Sequence, residues 1–172
     1  ILAMLLALDL GMHTGWSLWP RGQRLASGVW HLGADRHRGR FGEMLLRLGS
    51  MIQAQRIRRV AYEHVHHHTG NDAAHVYGGW LAVLDMLVHQ LAIVLVPVTT
   101  SEIHAVAGVK RASSPRVADQ TEKEKRAASQ QRRLENKAAV VTAAQARGWP
   151  VADDNEAEAC FVGLAAVTKG GA

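Results

Sequence analysis

Met4-Leu5-Leu6-Ala7-Leu8-Asp9-Leu10-Gly11 is an apolar run interrupted by one acid and closed by a glycine. Met4 to Leu10 is too short for a helix between breakers, so it reads as a buried strand with a carboxylate near its end. Outward from it, Thr14 to Trp19, stopped by Pro20, and Leu25 to Leu32 read as a second and a third strand around the turn-forming pair Arg21-Gly22. Three such strands in succession predict an antiparallel meander. From Phe41 to Gln55 the period changes: Phe41, Met44, Leu45, Leu48, Met51 and Ile52 recur at spacings of three and four, which is an amphipathic helix.

Ile57 to Tyr62 is a fourth strand, and after the polar break Thr69-Gly70-Asn71-Asp72 the stretch Ala73 to Leu91 is a second helix, with Asn71 or Asp72 as its expected N-cap. Gly78-Gly79 inside that helix costs helical stability and predicts a close packing contact. Ala92 to Val98, apolar and β-branched, reads as a fully covered parallel strand. A short helix over Thr99 to Ala107, begun by Thr100 or Ser101, leads into a flexible loop from Gly108 to about Val117. Asp119 to Ala146 is a polar helix former ended by Gly148-Trp149-Pro150, and Asp153 to Val167 is a C-terminal helix with its acids at the favourable end of the dipole. A meander followed by alternating helices and strands predicts an α/β fold: a mixed five-stranded sheet, three antiparallel strands then parallel ones, with helices on both faces.

The 172 residues fit one domain, 1–172, better than two. The only cysteine, Cys160, has no partner for an internal disulfide. Ile1 to Leu8 lacks a basic leader and a cleavage site, and Asp9 interrupts it well short of a membrane span, so the expected location is cytoplasmic with no membrane partner. Net charge is +5, and its distribution matters more than its size. Nine Lys/Arg face four Asp/Glu between Val109 and Lys137, while the rest of the chain is balanced. The segment 109–136 is therefore a basic, partly flexible insertion, suited to phosphates or simply a solvated, salt-bridged helix.

Three acidic positions sit where such a sheet could gather them: Asp9 near the end of the first strand, Glu63 at the end of the fourth, and Asp153-Asp154-Asn155-Glu156-Ala157-Glu158 at the head of the last helix. Asp154 and Glu158 are four apart, and Asn155 and Glu158 three apart, so either pair shares a face; Asp153 and Glu156 point elsewhere. Converging carboxylates repel unless a cation lies between them, and oxygen-only ligands favour Mg²⁺ or Mn²⁺. Two such ions suit phosphodiester hydrolysis.

Leu8-Asp9-Leu10-Gly11-Met12-His13-Thr14-Gly15-Trp16, Val60-Ala61-Tyr62-Glu63 and Asp154-Asn155-Glu156-Ala157-Glu158-Ala159, in that order, resemble the RuvC-like Holliday-junction resolvases, particularly phage-encoded members, of the ribonuclease H-like superfamily. The resemblance implies a crossover junction endodeoxyribonuclease. It would be a homodimer in a bacterial or phage-infected cell that nicks four-way and other branched DNA with Mg²⁺ or Mn²⁺, two ions in all. It implies Asp9, Glu63, Asp154 and Glu158 as catalytic, metal-holding residues. The family usually has Asp where Glu158 stands, and often an acid or His in place of Asn155. His66 stands where family members often carry an aromatic that stacks at the crossover. His64-Val65-His66-His67-His68 equally reads as incidental surface or as a transition-metal site. Thr14, Lys110, Arg111 and Lys137 complete the expected DNA contacts, with Lys137 or Lys110 resembling the family's assisting lysine. A Thr14 hydroxyl satisfied within the fold is the plain alternative. Two other readings stay open: a non-catalytic branched-DNA-binding module of the same fold, and an actin-like or sugar-kinase fragment, whose phosphate loop Asp9-Leu10-Gly11-Met12-His13-Thr14-Gly15-Trp16 also resembles.

Overall fold

Strand β1 (Leu5–Asp9) alternates its side chains so that Leu6 and Leu8 enter one core and Leu5 and Ala7 the other, all at 2 % exposure or less. A strand covered on both faces belongs at the centre of a sheet, and β1 is the middle strand of five in the order β3-β2-β1-β4-β5. In this computed structural model residues 4–33, 39–66, 70–109 and 121–170 are described. Strands β2 (His13–Trp19) and β3 (Ala26–His31) add antiparallel on one side of β1, joined by a 3-10 turn over Pro20–Gly22. Strands β4 (Arg59–His64) and β5 (Val94–Thr99) add parallel on the other. The mixed α/β sheet is thus the one the sequence predicts.

Helices α1 (Arg40–Ala54) and α2 (Asn71–Leu91) cover one face. Met44, Leu48 and Ile52 of α1, spaced by four, meet Trp80, Val83, Leu84 and Leu87 of α2 and the β1 leucines in one core. Gly79 is explained by the Phe41 ring, which an added Cβ would approach to 2.3 Å; Gly78 faces open space. The opposite face holds α3 (Thr100–Ala107), α4 (Glu122–Ala146) and α5 (Asp154–Gly170). Helix α5 buries Ala157, Ala159, Cys160, Phe161, Val162, Gly163, Ala165 and Ala166. These are mostly small residues, and they let α5 lie close to the strands: a Cβ on Gly163 would fall 1.9 Å from the Trp19 indole nitrogen.

Three expectations change. The last strand begins at Val94 and forms the sheet edge, with Val94 59 % exposed, because Pro97 has no N–H to offer a further neighbour. Helix α2 starts behind Gly70 without a side-chain cap, so neither Asn71 nor Asp72 caps it. Helix α3 is capped one residue earlier than expected, by Thr99, in a reciprocal capping box with Glu102. The polar helix expected over Asp119 to Ala146 is present as α4, which Thr121 caps and which runs unbroken through Asn136 and Lys137 to Ala146. The remainder of the basic segment, with Lys110, Arg111 and most of the expected flexible loop, lies outside the described residues.

Candidate functional site

Parallel pairing of β1 with β4 brings their C-terminal ends together, and Asp9 and Glu63 project there. The third arm comes from α5. Gly15 is the register partner of Asp9 on β2, and its missing side chain lets the α5 backbone descend onto the sheet beside Asp9. Asp153 sits before the helix and accepts from the Glu156 N–H at 2.9 Å, in the manner of an N-cap. Glu156 turns away from the cluster, accepting from Ser27 at 2.6 Å and from the Ala152 N–H at 2.7 Å. The helix face expected from spacing is the one observed, since Asp154, Asn155 and Glu158 border one cavity while Glu156 is buried on the other side.

Carboxylate oxygens of Asp9, Glu63 and Glu158 all lie within 4.8 Å of one another. Their environment resists three charges at once. Burial pushes the Asp9 carboxyl well above the usual carboxylate range, with Glu158, Glu63 and Asp154 raising it further and Lys137 opposing. Glu158 is pushed up to about 7, again chiefly by burial and then by Glu63 and Asp154, against Lys137 and Arg133. A divalent cation among the oxygens would remove that conflict, and an all-oxygen donor set suits a hard ion such as Mg²⁺ or Mn²⁺ rather than Zn²⁺. The residues present therefore fit a divalent ion.

Asp154 does not join the trio. Its Oδ2 is ion-paired with the Lys137 ammonium of α4, which places Lys137 at the edge of the acidic centre. The cavity, about 1080 Å³, is walled on the opposite side by Arg132, Arg133 and Asn136 of α4. A negative floor under a positive wall suits a phosphodiester, whose charge the wall attracts and whose scissile bond the floor faces.

Of the other expected contacts, Thr14 is fully buried and its hydroxyl donates to the Gly11 carbonyl at 2.7 Å, which leaves it no access to a phosphate. His66 is exposed just beyond β4, its ring edge against His64 with centroids 4.5 Å apart. His67 and His68 lie outside the described residues. Sequence reasoning missed three neighbours of the site: Thr100, His104 and His13. Thr100 donates to Glu63 at 2.6 Å, and His104 and His13 border the cavity. The four-residue spacing of Thr100 and His104 on a helix next to the Glu63 strand was the available signal.

No family model matches this chain, and no curated protein matches it. Solved structures do. A structure described as T. thermophilus RuvC in complex with Holliday junction substrate superposes with a TM-score of 0.66 at 15 % identity, over 95 % of this chain and 91 % of that one. A Thermus thermophilus RuvC structure gives a TM-score of 0.68 at 16 % identity, over 98 % and 96 %. The chain has the fold of RuvC, a ribonuclease H-like α/β architecture, as its sequence resemblance implies.

Proposed function

We propose that the protein is a metal-dependent endonuclease that cuts branched DNA, four-way junctions first among its substrates. The observation that carries the reading is the meeting of Asp9, Glu63 and Glu158 beneath a wall of α4 cations. One structural neighbour is described as bound to a Holliday junction, which supports the substrate class.

Asp9, Glu63 and Glu158 would hold the metal, Mg²⁺ or Mn²⁺ and two ions in the full reading. When bound, such ions lower the pKa of a coordinated water and offset the charge that develops on the phosphorus-bound oxygens. The chain itself does the rest. Asp9 and Glu63 stand on adjacent strands and Glu158 on a packed helix, rigid mounts that keep the carboxylates in place. Asp154 keeps the Lys137 ammonium beside them, poised to meet a non-bridging oxygen of the scissile phosphate. Arg132 and Arg133 draw the strand into the cavity without reading bases, so selection rests on junction shape. His66, exposed just beyond β4, would stack on an unpaired base, and Lys110 and Arg111, outside the described residues, would add phosphate contacts. A homodimer would present two such sites to a two-fold symmetric junction, in the cytoplasm of a bacterial or phage-infected cell. Among the described residues no helix is long and apolar enough to cross a membrane.

The test is nicking of four-way, three-way, flap and linear duplex substrates with Mg²⁺, Mn²⁺ or EDTA, beside Asp9→Asn and Glu63→Gln. Cutting of branched substrates that needs metal and is lost in both variants is expected. Wild-type rates in both variants would remove the assignment.

A further inference from the structure

Glu63 reaches the acidic centre on a side chain with three rotatable bonds, and Asp9 and Glu158 repel it there. Something must hold it against that repulsion. Its backbone is pinned from α2, where the Tyr77 hydroxyl donates to the Glu63 carbonyl at 2.8 Å and accepts from the Val65 N–H at 3.2 Å. The carboxylate is held from the other side of the sheet. The Thr100 hydroxyl donates to Glu63 Oε1 at 2.6 Å, and Thr100 is the first residue of α3.

The first turn of α3 is unusually well fixed. Thr99 and Glu102 cap it reciprocally, with Glu102 accepting from the Thr99 N–H at 2.7 Å. Glu102 also accepts an ion pair at 2.8 Å from Lys169 near the end of α5. The hydroxyl of Thr100 therefore issues from a turn tied both to its own cap and to the helix that carries Glu158. This is a rigid donor aimed at a flexible acceptor.

We propose that Thr100 is a positioning residue for the metal centre. Its hydroxyl occupies one lone pair of Glu63 Oε1, fixes the side-chain torsions, and leaves the remaining oxygen sites of Glu63 aimed at the cation shared with Asp9 and Glu158. Partners that orient a ligating carboxylate typically affect metal affinity 10- to 100-fold. Thr100 is not the cap of α3, so removing its hydroxyl leaves the capping box intact. The inference rests on the metal-dependent reading of the site but not on the identity of the nucleic acid.

The experiment measures Mn²⁺ binding to the full chain without DNA, by isothermal titration and by the rise in melting temperature. It compares wild type with Thr100→Val, Thr100→Ala, Thr100→Ser and Asp9→Asn. Thr100→Val and Thr100→Ala should each need about tenfold more Mn²⁺ or beyond, with unchanged melting in EDTA, while Thr100→Ser stays at wild type. Val keeps the branched shape and Ala does not, so a shared loss traces to the hydroxyl. Wild-type Mn²⁺ affinity in Thr100→Val overturns the proposal, as does wild-type binding no tighter than that of Asp9→Asn. If the Mn²⁺ pattern holds while no protein cuts any branched DNA, the substrate reading fails and the role of Thr100 stands.

Discussion

Ser27 of β3 donates a 2.6 Å hydrogen bond to Glu156 of α5 across 129 positions of sequence. Glu156 is 7 % exposed, and its second oxygen accepts from the Ala152 N–H, so the carboxylate ties the first turn of α5 both to the outer strand and to the chain that enters the helix. Truncating it leaves two donors without their acceptor in a largely closed site. Glu156→Ala is expected to lower stability by about 1–3 kcal/mol, read as a fall in melting temperature of roughly 2–4 °C per kcal/mol. Asp154→Asn should do the reverse: little change in melting, and a clear loss of cleavage through a displaced Lys137. Equal melting of both variants in one thermal scan would contradict this division of labour.

The meeting of Gly15 with α5 leads to a second expectation. A Cβ at position 15 would lie 1.9 Å from the Asn155 carbonyl oxygen, and the obstacle is backbone, which has no rotamer to escape into. Gly15→Ala must push the helix head away from β2. A shift of about 1 Å at a reacting centre costs about 10²-fold in rate. Cleavage should fall by about that factor and Mn²⁺ binding should weaken in parallel, whereas Gly78→Ala, at a position facing open space, should leave both unchanged.

The sequence made the sheet legible because its strands differ in pattern from its helices. The run over Leu5–Asp9 is too short to be helical, and the Met44, Leu48, Ile52 spacing has no other explanation. The meeting of Asp9 and Glu63 in one acidic cluster was legible because a lone acid at the end of an apolar strand needs a reason. The partners of the site were not legible. Ser27 and Glu156, or Thr100 and Glu63, are ordinary polar residues until the fold sets them side by side, and no local pattern marks such a pair. The edge position of β5 is masked by its apolar composition, and Pro97 is the one residue that signals it. Helical spacing shows that Asp154 shares a face with Glu158, and no more than that. Spacing does not reveal that Lys137, from another helix, occupies it.

A proton and a metal ion should relieve the same buried repulsion, each in place of the other. Glu158 is held at about 7, above its ordinary 4.5, so between those values the folded chain keeps a proton that the unfolded chain releases. Its contribution is complete below the unfolded value and is lost as pH rises through the folded one. Metal-free protein should therefore melt at a lower temperature at about pH 8 than at about pH 6, with a smaller difference in Glu158→Gln. Saturating Mn²⁺ should flatten the dependence, because the ion replaces the proton, and EDTA should restore it. A wild-type profile identical to that of Glu158→Gln counts against the buried repulsion described here.

The α4 wall predicts a salt signature. Arg133 is exposed, borders the cavity, and lies close enough to Glu158 to oppose its upward shift. Arg133→Ala should weaken binding to four-way and flap DNA alike and reduce the slope of log affinity against log salt by about 1. Loss confined to one DNA sequence would point instead to base readout.

Because the three carboxylates arrive from residues 9, 63 and 158, the centre closes only through contacts spanning most of the polypeptide. During synthesis the first two acids leave the ribosome long before the third, and pairing across such distances is slow relative to helix formation. An unfinished or half-folded copy thus carries no complete acidic centre. On the proposed reading, a centre able to cut a phosphodiester exists only in the finished tertiary structure.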